Sequence, residues 1–206
     1  MGLTRKESIL PAFIALNGTP RASAGFLPVA HGPFVLTAGS PLPNTSRPEG
    51  SARFSARSTL LRETEQAGAS AASLGISPEE IADWKLRSRS LMYNSAVDRI
   101  FSLAEDERLR YGNSPFGNAC VTARNLLRAN MGTRFIQITY GSWDHHQNLY
   151  AQLTTRAGIF DTGLARLIAD LKSDGLLDET LIVAQGEFGR TVGSLNGNQG
   201  RDHYSQ

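Results

Sequence analysis

Histidine and carboxylate side chains are concentrated in the last third of the chain, in two short clusters. The first is Asp144-His145-His146 and the second is Asp202-His203, with Glu187 between them. Three of the four histidines of the sequence lie in these clusters. Imidazole nitrogen and carboxylate oxygen are ligands that suit zinc, manganese and iron. The pattern therefore predicts one divalent metal site, with candidate ligands Asp144, His146, Glu187, Asp202 and His203.

The spacing within the first cluster indicates which of its side chains face the same way. In an extended segment, residues two apart point to the same side. We therefore expect Asp144 and His146 to point together and His145 to point away from them. The alternative is a hydrogen-bonded structural corner that binds no metal, because short motifs of this kind also occur without one.

Two arginines accompany the clusters, and each has two interpretations. The guanidinium groups of Arg190 and Arg201 match the geometry of phosphate, sulfate and carboxylate groups. They are therefore candidates for binding an anionic substrate group. The alternative is that each pairs with a nearby Asp or Glu.

A strand, a helix and a second strand are predicted to position the clusters. The β-branched and aromatic residues at 135–140 indicate a strand, and a helix with one apolar face follows and ends near Gly175. The apolar run at 180–184 predicts a second strand, buried on both faces. Such a βαβ unit makes a parallel sheet, and ligands bind beyond the carboxyl ends of parallel strands. Polar residues follow both predicted strands at that edge.

The residues before this unit are predicted to be helical. Ser77-Pro78-Glu79-Glu80 has the features of a helix start, with Ser as the N-cap and Pro in the first position. Apolar residues at a spacing of three to four extend this helix to about Ala104. A second helix fits residues 116–130, and a shorter one fits residues 57–66.

The first segment, residues 1–76, is interpreted as a proline-rich irregular arm packed on the core. Seven of the nine prolines lie within residues 1–50. Proline fixes φ and removes a hydrogen-bond donor, so loops with short extended pieces are expected. Apolar groups such as residues 13–16 argue against disorder. Residues 77–206 then form the α/β core segment of a single domain.

Composition excludes several classes of function. The formal net charge is only +2 and there is no run of Lys or Arg, so we expect no binding to nucleic acid. No apolar stretch reaches the roughly 20 residues that span a bilayer, and the first residues lack the apolar core of a signal peptide. The lone Cys120 excludes an internal disulfide and zinc ligation of the CxxC type.

Six groups of motifs lie in a fixed order along the chain: Arg110-Tyr111-Gly112 with Phe116-Gly117, Ala123-Arg124-Asn125-Leu126-Leu127, Gly141-Ser142-Trp143-Asp144-His145-His146, Asp174-Gly175-Leu176-Leu177-Asp178-Glu179-Thr180, Gly186-Glu187-Phe188-Gly189-Arg190-Thr191 and Gly200-Arg201-Asp202-His203-Tyr204. Together they resemble the bacterial DUF1501 family, which is placed in the alkaline phosphatase-like, or sulfatase-like, superfamily. The resemblance is clearest from about residue 78 to residue 206.

The resemblance implies a doubly wound α/β sheet with one or two divalent metal ions at its carboxyl edge. It implies hydrolysis or transfer of phosphate or sulfate esters, with a small-molecule or saccharide ester as substrate. Asp144 and His146 then resemble a ligand pair, and His203 resembles a later metal-binding histidine. Glu187 occupies the position of a ligand Asp, and Phe188 replaces the His that follows it in the superfamily. One metal site is therefore expected rather than two.

Members of the family carry an export signal, a first strand with an Asp, and a Ser or Thr nucleophile region. No segment of this sequence matches those features. The resemblance therefore implies a fragment of a periplasmic or exported protein, with a partial sheet, no catalytic nucleophile and no activity on its own. The expected function of the intact protein is metal-dependent ester hydrolysis. The alternative is a non-catalytic binding or surface-assembly protein with a degenerate metal site.

Overall fold

The computed structural model describes residues 8–18, 23–27, 31–42, 45, 49–67 and 78–204. Its strands are β1 (Phe13–Leu16), β2 (Phe34–Leu36) and β3 (Phe135–Ile138). Its α-helices are α1 (Gly50–Ala67), α2 (Pro78–Leu91), α3 (Ser95–Phe101), α4 (Glu105–Arg110), α5 (Pro115–Ala129) and α6 (Leu149–Ser173), and a 3-10 helix follows at Leu177–Glu179. The mixed α/β class expected from the sequence is confirmed at this level.

The strands form a parallel sheet in the order β2-β1-β3. Ile14 and Leu16 of the central strand are fully buried. They belong to an apolar core that α3 and α5 complete with residues such as Val97 and Leu126. Residues 13–16, predicted from the sequence to belong to an irregular arm, therefore form the central strand of the sheet.

Helices α5 and α6 lie where the sequence predicts them. The Ser114 hydroxyl accepts a hydrogen bond from the Gly117 amide at 3.0 Å and caps the start of α5. Asn130 ends α5 in the left-handed conformation. Helix α6 ends at Ser173, and Gly175 follows with a φ of +71°. Phe116 and Leu171 pack in a second apolar core between the two helices.

The predicted long helix from residue 78 to about residue 104 is wrong beyond Leu91. The chain turns at Tyr93, whose φ is +55°. The Asn94 side chain then accepts hydrogen bonds from the amides of Ala96 and Val97 and starts α3. The apolar spacing continues across this break, but an Asn that can cap favours a new helix over continuation. The predicted N-cap, Ser77, lies outside the described residues.

The predicted strand at residues 180–184 is also wrong. The side chains of Leu181 and Val183 are 89% and 69% exposed, and only Ile182 packs against the second apolar core. A strand is maintained by backbone hydrogen bonds to a neighbour. No strand of the described sheet pairs with this run, so it lacks the backbone hydrogen bonds of a sheet.

A buried ionic network ties α4, α5 and α6 together around one carboxylate. The Asp170 side chain is 8% exposed and accepts hydrogen bonds from Arg124 at 2.9 Å and Tyr111 at 2.8 Å. Arg124, 1% exposed, also pairs with Glu107. Arg166 reaches the other Asp170 oxygen at 3.0 Å.

The electrostatics of this network favour its charged form. Burial alone would raise the pKa of Asp170, but the hydrogen bonds from Arg124 and Tyr111 and the nearby arginines lower it. Burial, reinforced by the hydrogen bond to Asp170, raises the pKa of Tyr111 far above its ordinary value. Tyr111 and Arg124 belong to two motifs of the family resemblance, and the fold gives both a structural role.

In the described part of the chain, no helix combines the length and the apolar character needed to cross a bilayer.

Candidate metal centre

The loop after β3 rests on a group of packed aromatic rings. The Trp143 indole donates a hydrogen bond to the Tyr140 carbonyl at 2.8 Å, and the two rings meet edge to face. Trp143 also contacts Phe160 of α6, and Phe160 contacts Phe116 of α5. These contacts fix the backbone immediately before Asp144, so the aromatic residues of the loop serve as its support.

Asp144 and His146 point to the same side of this loop, as the sequence predicts. The His146 Nε2 atom lies 2.8 Å from the Asp144 Oδ1 atom. His145 points away from both and is only 5% exposed. The alternation along residues 144–146 thus separates two exposed site residues from one buried residue.

His203 joins the pair from a distant part of the sequence. Its Nε2 atom lies 3.3 Å from the same Asp144 oxygen. One ligand atom from each of Asp144, His146 and His203 lies within 4.8 Å of the other two. All three side chains are about half exposed, so the group is open to solvent.

Main-chain contacts hold together three segments: the loop after β3, the residues around Arg190 and the residues from Gly200 to His203. Arg190 and His203 form an antiparallel bridge, and the Thr191 amide donates to the Asp202 carbonyl at 3.0 Å. The Arg201 amide donates to the carbonyl of His145 at 3.0 Å. The preceding residue, Gly200, passes so close to the main chain of His146 that a Cβ atom on it would clash with the His146 carbonyl group. Only glycine fits at that crossing.

Asp202 contacts the back of the His146 ring. Its Oδ1 atom lies 2.9 Å from His146 Nδ1, so the ring stands between two carboxylates and its Nε2 faces Asp144. The hydrogen bond from His146, followed by one from Asn196, lowers the pKa of Asp202. Metal-binding histidines commonly donate their second N–H to a carboxylate, which fixes the orientation of the ring. The geometry thus gives Asp202 the position of an orienting group for His146.

Glu187 is engaged by Arg190. The Arg190 guanidinium contacts a Glu187 oxygen and also the Asp144 oxygen on which both imidazoles converge. The hydrogen bond from Arg190, followed by that from His203, holds the pKa of Asp144 below its ordinary value. Phe188 lies against this group, with its ring centroid 4.9 Å from that of His203.

The second candidate arginine for an anion faces backbone instead. The Arg201 guanidinium donates to the carbonyl of Thr191 and to that of Gly193, the latter at 3.2 Å. These bonds close the turn that follows Arg190. Of the two candidates, Arg190 is therefore the one that lies on the Asp/His group.

Asn196 is a site residue that its residue type alone does not reveal. Its side chain makes four hydrogen bonds in the structure, to Asn198, Gly200, His146 and Asp202. The sequence feature that could have identified it is the Asn- and Gly-rich stretch at 196–200. Such stretches favour turns in which an Asn side chain forms hydrogen bonds with nearby backbone groups.

The donor set of Asp144, His146 and His203 fits a divalent metal. Two imidazoles and one carboxylate are ligands used for zinc, manganese and iron. Catalytic zinc sites typically have three protein ligands and keep a further position open. The half-exposed side chains of this group are compatible with such an open position.

Comparison with known proteins gives a family and no named relative. No curated protein and no solved structure matches the chain. The model of one family, described as protein of unknown function DUF1501, matches residues 1–206, which is the whole sequence. The chain belongs to the DUF1501 family.

Proposed function

We propose that this protein binds one divalent metal ion, zinc, manganese or iron, and that the centre serves the hydrolysis of a phosphate or sulfate ester. The observation that carries the proposal is the convergence of Asp144, His146 and His203, whose ligand atoms lie within 4.8 Å of one another. The latter two residues are far apart in the sequence, so their meeting requires the tertiary fold.

Each group around the proposed centre has a distinct task. Asp144, His146 and His203 hold the metal, and Asp202 orients His146 through its Nδ1 atom. A bound divalent metal supplies Lewis acidity to an ester oxygen and lowers the pKa of a coordinated water. Arg190 contacts Asp144 directly and is therefore the cation best placed to stabilise the anionic group of the ester.

One metal ion is proposed rather than two. Glu187, the remaining candidate ligand, pairs with Arg190 and does not belong to the group formed by Asp144, His146 and His203. With Asp202 on the far nitrogen of His146, the described residues offer one set of three converging ligand atoms, from Asp144, His146 and His203. Phe188 offers no ligand atom and occupies space beside His203.

The proposal extends to membership of the alkaline phosphatase-like superfamily and to an exported location. The superfamily membership is supported by the parallel sheet and by the position of the Asp144 loop, which follows the carboxyl end of β3. The motif resemblance supports it independently. The substrate is proposed to be a small-molecule or saccharide ester.

A second candidate function is a non-catalytic binding or surface-assembly protein. The observation that favours it is that Arg190 already pairs with both Asp144 and Glu187 without a metal. In this case the Asp/His group is a structural corner that joins the loop after β3 to the end of the described chain. Fold class alone does not decide between the two candidates.

Metal content decides between them. The wild type, Asp144→Ala and His203→Ala are purified in parallel and analysed by elemental mass spectrometry, with His31→Ala as a control histidine outside the group. The proposal predicts about one equivalent of metal in the wild type and the control, and loss of metal in both site variants. An intact member of the DUF1501 family that carries the same Asp144, His146 and His203 motifs is then loaded with metal and assayed with 4-nitrophenyl phosphate and 4-nitrophenyl sulfate.

The outcomes separate the two candidates. A folded wild type without metal after incubation with zinc, manganese or iron refutes the metal centre and supports the binding protein. Stoichiometric metal in this chain, without cleavage of either ester by the intact family member, keeps the centre and refutes the hydrolase assignment.

A further inference from the structure

The Asn196 side chain uses its full hydrogen-bonding capacity. An Asn amide has two N–H donors and an oxygen that accepts two hydrogen bonds. Here the oxygen accepts from the amides of Asn198 at 3.0 Å and Gly200 at 2.8 Å. The nitrogen donates to the carbonyl of His146 and to Asp202 Oδ1, both at 3.1 Å. We propose that Asn196 is a positioning residue of the metal centre, an inference that rests on the proposed metal site.

The oxygen side of the amide shapes its own loop. Its two acceptor bonds and the Asn196–Gly200 main-chain hydrogen bond of 3.0 Å close the turn over residues 196–200. This turn carries Gly200 to its crossing over His146. The loop thus has a defined shape that comes from one side chain.

The nitrogen side of the amide reaches the candidate ligand. One N–H holds the main chain of His146, and the other holds the Asp202 oxygen that lies 2.9 Å from His146 Nδ1. Asn196 therefore fixes His146 at two points, its backbone and the carboxylate behind its ring. With both fixed, the ring has little freedom to turn its Nε2 away from Asp144.

The orientation of the amide is itself determined. A flip of the Asn196 amide would place its NH2 group against two backbone N–H donors and its oxygen against two acceptors. All four hydrogen bonds would be lost. Because the amide has one favourable orientation, it preorganises His146 before any metal binds, and such preorganisation raises affinity.

The substitution Asn196→Asp separates the two roles of the side chain, which are to shape the 196–200 turn and to hold His146 and Asp202. Aspartate keeps an oxygen that accepts from the two loop amides, and it loses both donors to His146 and Asp202. Asn198→Asp is the matched control, because it adds the same charge two residues away on an exposed side chain. His146→Ala identifies the imidazole signal of His146.

Two readouts are measured for each variant. Zinc affinity is obtained by competition with a chromogenic chelator. The imidazole N–H proton of His146, which lies toward Asp202 Oδ1 at a heavy-atom distance of 2.9 Å, is observed by proton NMR at low temperature in the metal-free protein. Loss of groups that orient a ligand commonly costs 10–100-fold in metal affinity, so we expect a loss of about tenfold or more for Asn196→Asp and almost none for Asn198→Asp.

The result expected is loss of both zinc affinity and the imidazole signal in Asn196→Asp, with both retained in Asn198→Asp. Unchanged zinc affinity in Asn196→Asp overturns the inference. If the wild type binds no zinc, the proposed function fails, and the imidazole signal then decides alone. Its loss only in Asn196→Asp supports positioning of His146, and its retention overturns that role.

Discussion

Truncation of Asp170 should be one of the most destabilising single changes in this chain. The substitution Asp170→Ala removes the carboxylate that lies 2.9 Å from the Arg124 guanidinium, 1% exposed, and leaves Glu107 as the remaining carboxylate on that group. It also leaves the buried Tyr111 hydroxyl without the acceptor that lies 2.8 Å away. Water cannot replace the lost oxygens easily, because Tyr111 and Arg124 are almost completely covered.

The magnitude follows from the burial of each contact. Breaking a buried ion pair costs about 3–5 kcal/mol. The pairs with Arg110 and Arg166, whose side chains are 43% and 39% exposed, add at most about 1 kcal/mol together. We therefore expect a loss of about 4 kcal/mol. At roughly 2–4 °C per kcal/mol for a chain of this size, the Tm should fall by about 8–16 °C.

The surface ion pair between Arg128 and Asp174 provides a matched control. It has a two-point geometry with distances of 2.6 and 2.9 Å, but its side chains are 43% and 23% exposed. Asp174→Ala should therefore cost no more than about 1 kcal/mol. Urea unfolding followed by circular dichroism measures both variants. Equal losses for Asp170→Ala and Asp174→Ala would refute the argument from burial.

The same carboxylate should impose a pH dependence with a definite sign. The folded-state pKa of Asp170 is lowered, so its contribution to stability is fully present above the unfolded pKa of about 3.9. That contribution is lost as the pH falls through the folded-state pKa. In Asp170→Asn the free energy of unfolding should therefore depend less on pH below about pH 4 than it does in the wild type. Parallel slopes would contradict this assignment.

Three further predictions concern packing, reactivity and the close crossing beside the site. Leu171→Ala should lose about 2–5 kcal/mol of stability, whereas Leu181→Ala should change it by less than about 0.5 kcal/mol, since Leu171 is fully buried and Leu181 is exposed. A large loss for Leu181→Ala in urea unfolding would mean that residues 180–184 form a buried strand after all. Burial raises the pKa of Cys120 to about 12, so a thiol reagent at pH 8 should label it only after unfolding; rapid labelling of the native protein would contradict its burial. Gly200→Ala should lower metal affinity and stability together because its Cβ would meet the His146 backbone, while Gly189→Ala, with open space around its Cβ position, should change neither.

The helices next to the site could be predicted because their signals are local. Ser114 before Pro115, the left-handed Asn130 and the glycine after α6 act within a few residues of the helix ends they define. The strands are different, because strand pairing depends on residues far apart in the sequence. Residues 13–16 and 180–184 are both short and apolar, yet only the first run has partners, in β2 and β3. Composition alone could not distinguish them.

The candidate site was predictable in its residue types and in one local contact. The two-residue spacing between Asp144 and His146 determines that they share a side, and the structure has them 2.8 Å apart. The contact between His146 and Asp202 spans 56 residues and depends on the Gly200 crossing. Asn196 gave no chemical signal of its own, since an Asn beside Gly is ordinary turn chemistry.

Charge balance distinguishes the buried network around Asp170 from the candidate metal centre. In the buried network, three arginines surround Asp170 and one of them also pairs with Glu107, so the carboxylates are fully matched and a cation would find no free ligand. At the candidate centre, Asp144 and Glu187 share the Arg190 guanidinium and Asp202 contacts the His146 ring, so with neutral imidazoles the three carboxylates exceed the guanidinium by two negative charges. The Arg201 guanidinium does not alter this balance at the ligands, because it is turned toward main-chain carbonyls. An excess of two negative charges beside two imidazoles is the electrostatic environment that attracts a divalent cation. For this reason the metal ion is proposed at the candidate centre and not at the buried network around Asp170.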